Sequence, residues 1–102
     1  MESAVAIKRL SALAHEGRLA VFRLLVKAGP DGLAAGEIAR TLELPPNTLS
    51  AQLTVLANAG LTVSRRAGRS IIHSAHYEGM NELLRHLMED CCQGRPELCC
   101  PP

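Results

Sequence analysis

The apolar residues of this chain recur at helical spacing along most of its length, and the period changes once. Ala4 to Ala14 predicts a first helix, with Val5, Leu10 and Leu13 on its apolar side and Lys8 and Arg9 outward. Gly17 weakens the junction to a second helix, Arg18 to Ala28, whose face is Leu19, Phe22, Leu25 and Val26. Gly29-Pro30-Asp31-Gly32 is a turn. Leu33 to Leu42 predicts a short third helix with Ile38 and Leu42 inward. The fourth, Pro46 to Ala59, starts on a proline that gives up no needed hydrogen bond and stops at Gly60. Its stripe is Leu49, Leu53 and Leu56, and the opposite face carries Asn47, Ala51 and Asn58. Leu61 to Arg66 then alternates, Ala67-Gly68 turns, and Arg69 to Tyr77 alternates again, which predicts a β-hairpin with an arginine-rich tip. Glu78 to Asp90 closes the pattern as a helix with Met80, Leu83, Leu84, Leu87 and Met88 on one wide stripe.

Two short helices joined by a tight turn and followed by a hairpin predict a mainly α fold with a β-hairpin, a winged helix-turn-helix. In that arrangement the helix from Pro46 to Ala59 enters the major groove of DNA. The apolar stripe of the last helix is too wide for one small domain to cover, and the first helix has a similar surplus. Both predict a homodimer through the first and last helices. A twofold dimer would set two recognition helices about one DNA turn apart.

Composition narrows the function. The chain has 102 residues and a net charge of +1, so it is one small domain rather than a general polyanion binder. One Phe, one Tyr and no Trp leave Leu, Val, Ile and Ala to build the core. No stretch reads as a signal peptide or a bilayer span, so the expected location is cytoplasmic, with no membrane partner and with reduced thiols. No nucleophile–base pair, phosphate loop or paired carboxylates are present, so the chain reads as no enzyme and needs no catalytic cofactor.

Two sets of residues carry chemistry. Asn47, Thr48, Ser50 and Gln52 lie on the early turns of the recognition helix and have side chains suited to base edges or phosphate. Arg65, Arg66 and Arg69 surround the hairpin turn, where a wing meets the DNA backbone. Operator double-stranded DNA is therefore the expected partner. The second set is the cysteines. All four fall in the last twelve residues, as Cys91-Cys92 and Cys99-Cys100, beyond any core. The chain thus divides into a winged helix-turn-helix and dimerisation domain, 1–90, and a cysteine-rich tail, 91–102. A thiol cluster suits a soft ion. Three converging thiolates fit arsenite or antimonite, four fit zinc or cadmium, and a pair of them fits a redox switch. His86 and Glu89, spaced i, i+3, lack an Asp-x-His partner, and His15, His73, His76 and His86 read as solvated or helix-end residues.

Three stretches carry a resemblance to a known family. They are Leu13-Ala14-His15-Glu16-Gly17-Arg18-Leu19, the run from Leu44-Pro45-Pro46 through Gln52-Leu53 with Leu56 and Ala59-Gly60-Leu61, and Arg66-Ala67-Gly68-Arg69. Together the chain resembles the ArsR/SmtB metalloregulatory repressors, in the arsenical-resistance branch. Many members of that branch hold thiols on the helix before the recognition helix, where Leu33 to Leu42 has none. The tail instead resembles a C-terminal three-cysteine arsenite site, which implies Cys91, Cys92 and Cys99 as ligands and Cys100 as a spare. Gln52 stands where the family often has His. The resemblance implies a repressor that binds its operator as an apo dimer and is released when trivalent arsenic or antimony, as inducer, binds the tail. The rival readings are a zinc/cadmium or thiol-redox sensor of the same fold, and a thiol-rich metalloid-binding module with no DNA activity.

Overall fold

A computed structural model describes residues 1–89 of the chain. Its elements are α1 (Ser3–Leu13), α2 (Glu16–Ala28), β1 (Leu33–Ala34), α3 (Ala35–Leu42), α4 (Pro46–Asn58), β2 (Thr62–Ala67), β3 (Ser70–Ala75) and α5 (Tyr77–Met88). The four cysteines lie outside the described residues. Among those residues, no helix is long and apolar enough to cross a membrane.

The expected order of helices and hairpin is present, and it is that of a winged helix-turn-helix. The core is aliphatic apart from one ring. Val21, Phe22 and Leu25 of α2 meet Ile38 of α3, Leu49, Leu53 and Leu56 of α4, and Leu61 at the start of the hairpin. These positions recur at i, i+3, i+4 and i+7, so each helix turns one stripe inward.

One boundary is corrected. Leu33 and Ala34 do not open α3 but form a short strand, pairing with His73 and Ile72 to make an antiparallel sheet of order β1-β3-β2. The cause is the edge of β3, whose backbone groups need partners. Gly32, at φ +71°, turns the chain onto that edge. The wing is thereby tied to the helix-turn-helix.

The α1–α2 junction is firmer than Gly17 suggests. His15 caps α2: its Nδ1 accepts from the N–H groups of Gly17 and Arg18, at 3.1 and 3.3 Å. Arg18 in turn donates through Nε to the Ala12 carbonyl at 2.7 Å, closing the end of α1.

Between α3 and α4 the chain reverses at Glu43, a left-handed residue with φ 54°. The Leu44 N–H donates to the Ala39 carbonyl at 3.0 Å and holds the turn. A side chain at such a φ costs roughly 1–2 kcal/mol, which glycine avoids at some entropic expense. Glu43→Gly is therefore expected to raise stability by about 0.5–1 kcal/mol, read as a higher thermal midpoint.

Candidate nucleic-acid interface

The recognition helix is α4. Pro45 and Pro46 start it, and no side chain caps its N-terminus, so its first N–H groups stay available to an acceptor outside the protein. Leu49, Leu53 and Leu56 anchor the helix, which leaves Asn47, Thr48, Ser50 and Ala51 exposed on its first two turns. Thr54 donates to the Ser50 carbonyl at 3.0 Å, so its hydroxyl is committed within the helix.

Gln52 does not join this surface. Its residue is only 8% exposed, and its Oε1 is buried without a hydrogen-bond partner. The amide packs on Gly17, where a Cβ would overlap Gln52 Nε2. The expectation that Gln52 reads a base is corrected for a helical reason. Position 52 lies three after Leu49 and four before Leu56, within the stripe that anchors α4.

The hairpin pairs Thr62 with Ala75 and Ala67 with Ser70, leaving Gly68 and Arg69 as a two-residue turn. Gly68 has φ +64°, the first-position geometry of a II′ turn, which matches the twist of the strands. The three arginines are not equivalent. Arg69 stands at the tip, fully outside the sheet pairing, and Arg66 makes only a 3.5 Å contact to the Gly68 carbonyl. Arg65 reaches back across β3, and its Nη2 donates to the Asp31 carbonyl at 3.0 Å. It braces the wing against the turn before β1. Strand alternation puts Arg66 on the same side as Thr62, which is buried, and Arg65 on the other side.

A cleft of about 340 Å³ separates α4 from the inner face of the wing, with Ser50, Thr54, Ala57, Ser64 and His73 among its walls. Burial pushes the His73 pKa below the usual imidazole value, so this histidine is neutral near pH 7 and adds no charge to the interface.

The side chain that pattern reading missed is Arg9. Expected outward on α1, it is turned in and only 11% exposed, three residues from both Ala6 and Ala12 on the buried side. Its Nε donates to the Ala59 carbonyl at 2.9 Å and its Nη1 to the Gly79 carbonyl at 2.6 Å. Small alanines on either side were the available signal, because they leave room for a long side chain at the centre of that face.

Comparison with known proteins agrees with this geometry. Residues 13–65 match the family model described as a helix-turn-helix domain. The chain is 39% identical over 75 residues to the HTH-type transcriptional regulator NmtR of Mycobacterium tuberculosis, covering 74% of this chain but 60% of NmtR. It is 31% identical over 83 residues to the HTH-type transcriptional regulator YgaV of Escherichia coli, covering 81% of this chain and 82% of YgaV. The chain belongs to the ArsR/SmtB family of transcriptional regulators. An ArsR-like transcriptional regulator from Rhodococcus sp. RHA1 shares the fold of this ArsR/SmtB chain with a TM-score of 0.78 at 24% identity, over 93% of this chain and 87% of that one. So does the homodimeric winged helix-turn-helix domain of Mb0332 from Mycobacterium bovis, at TM-score 0.69 and 24% identity, over 83% of each chain.

Proposed function

We propose that this ArsR/SmtB regulator is a homodimeric repressor that binds operator DNA in its apo form and lets go when arsenite or antimonite binds Cys91, Cys92 and Cys99. The observation that carries the DNA half is the exposed set Asn47, Thr48 and Ser50 beside an arginine-tipped wing. Asn47 suits bidentate pairing with adenine, Thr48 and Ser50 suit base edges or phosphate, and Arg66 and Arg69 suit the backbone. Gln52 and Arg65 are left out of direct contact, because one is buried and the other braces the wing.

The dimer half rests on surplus apolar surface. Leu84 and Leu87 of α5 are each 49% exposed and Ile7 of α1 is 64% exposed, although all three are large aliphatics. The Mycobacterium bovis neighbour that shares this fold is itself homodimeric.

The sensor half rests on where the thiols stand. Among the described residues, no three His, Cys, Asp or Glu side chains are grouped to hold a metal ion. Every cysteine follows α5 in the sequence, starting two residues after Glu89. A soft ion held there would act on the helix that supplies the dimer face. It acts only through unequal affinity for the two DNA-binding states, typically about 1–3 kcal/mol of coupling.

The deciding experiment titrates the operator complex in parallel with arsenite, antimonite, zinc and cadmium under reducing conditions, following anisotropy of labelled duplex. Release by arsenite and antimonite alone supports the proposal. Release by zinc or cadmium alone, or by oxidant without metalloid, replaces it with the rival sensor. Specific binding that fails against competitor DNA removes the regulator itself.

The interface makes a finer expectation. Asn47→Ala should cost about 1–3 kcal/mol and relax preference at one base pair. Arg69→Ala should weaken all duplexes alike and lower the salt slope by about 1. Binding isotherms at several salt concentrations, on operator and scrambled duplex, separate the two.

A further inference from the structure

The end of the recognition helix is held by a side chain from the helix that would form the dimer. At the end of α4 the Val55, Leu56 and Ala57 carbonyls are taken by the N–H groups of Ala59, Leu61 and Gly60, which leaves the Ala59 and Gly60 carbonyls to be met by side chains at the negative end of the helix dipole. Two side chains meet that end. Arg9 of α1 donates from Nε to the Ala59 carbonyl at 2.9 Å, and the His76 ring lies 3.0 Å from the Gly60 carbonyl. Arg9 does not stop at α4. Its Nη1 donates to the Gly79 carbonyl in the first turn of α5 at 2.6 Å and lies 3.7 Å from Glu82 Oε1. One guanidinium therefore bonds α4 and α5 at once from α1. Its planar fork can address two carbonyls in fixed directions, which a compact ammonium cannot do.

The backbone is shaped for this contact. Gly60 sits at φ +82°, and a Cβ there would come within 2.9 Å of Arg9 Nη2. A Cβ at Gly79 would overlap the Gly60 carbonyl oxygen. Two glycines thus let three helices close on one part-buried cation.

We propose that Arg9 is a positioning residue for DNA recognition: it fixes the angle of α4 against the α1/α5 dimer helices, and so sets the half-site spacing that the dimer accepts. The inference rests on the dimeric DNA-binding reading above. A dimer whose recognition helices are rigidly oriented reads half-sites at one separation. A loosened α4 would tolerate several separations, because each helix could adjust to its own groove.

The test uses the full chain and an operator selected by the wild-type protein from random duplex DNA. Spacer length between half-sites is then changed by one and two base pairs. Wild type should lose affinity at least about tenfold on a changed spacer, whereas Arg9→Lys should lose roughly threefold or less, with affinity for an isolated half-site unchanged. Gly79→Ala, which opens the same junction without touching Arg9, should flatten the spacing profile likewise. A purely stabilising role for Arg9 would lower the thermal midpoint and the active fraction, and would leave the ratio between spacers where it was. Folded, dimeric Arg9→Lys that keeps the wild-type ratio overturns the inference. A wild-type protein that binds half-site and full site equally overturns the dimeric reading, and the inference with it; the two failures are thereby told apart.

Discussion

Replacing Cys91, Cys92 and Cys99 together by serine is expected to leave operator affinity within about twofold of wild type and to remove release by arsenite. The first half follows from position. The thiols come after the last described helix, and the candidate base-contacting side chains belong to α4, anchored by Leu49, Leu53 and Leu56. Serine keeps the size of the side chain and changes its softness. Under the proposed function arsenite would arrive as a neutral trihydroxide. Each thiol would form an As–S bond as its proton left with a displaced hydroxide as water, and three such exchanges would fill a pyramidal site without oxidising or reducing anything. A hydroxyl gains nothing by this exchange, because it trades one As–O bond for another. The coupling available to wild type, roughly 5–150-fold in operator affinity, therefore falls to none. Each single substitution should also abolish release, by leaving two thiolates where the pyramidal site needs three. The measurement is anisotropy of labelled operator during an arsenite titration, with arsenic bound per chain counted by mass spectrometry. A triple variant that still lets go of DNA with arsenite means that the effector acts elsewhere.

The architecture was legible because hydrophobic periodicity reports burial, and burial is what arranges this fold. Each helix of the winged helix-turn-helix shows its stripe, and Gly60 and Gly68 mark real reversals with positive φ. The residues that pattern reading misplaced are polar ones whose position is decided by tertiary contacts. Arg9 turns inward to donate to the Ala59 carbonyl just after α4 and to the Gly79 carbonyl in the first turn of α5. Gln52 has the chemical type of a base reader, but its place between Leu49 and Leu56 puts it on the anchored side of α4. Leu33 and Ala34 have no strand signature of their own; the edge of β3 recruits them. Arg65 looks like its neighbours in sequence and is singled out only by the Asp31 carbonyl within its reach. Charge and amide side chains thus identify where an interface lies, while local packing decides which of them face out.

Leu87→Glu should turn the dimer into monomers and weaken binding to the full operator by roughly 10²–10⁴-fold, while an isolated half-site binds as before. Helix α5 buries Leu83 and leaves Leu84, Leu87 and Met88 at 49%, 49% and 40% exposure, and Ile7 and Leu10 of α1 are also uncovered. Covering the exposed half of such a leucine contributes about 1 kcal/mol, and each is used twice across a twofold axis. A carboxylate at the same place removes that contribution and adds the cost of taking a charge out of water. The monomer itself has no reason to unfold, since the side chain is half in solvent already and the core cluster does not include it. Loss of affinity then comes from losing the second recognition helix, whose binding within a dimer is intramolecular. Sedimentation velocity at the concentrations of the DNA assay reports the monomer directly, and circular dichroism shows that its helices persist. If the variant stays dimeric with wild-type operator affinity, the subunits pair through some other face, and the path from the tail thiols through α5 to α4 has to be redrawn.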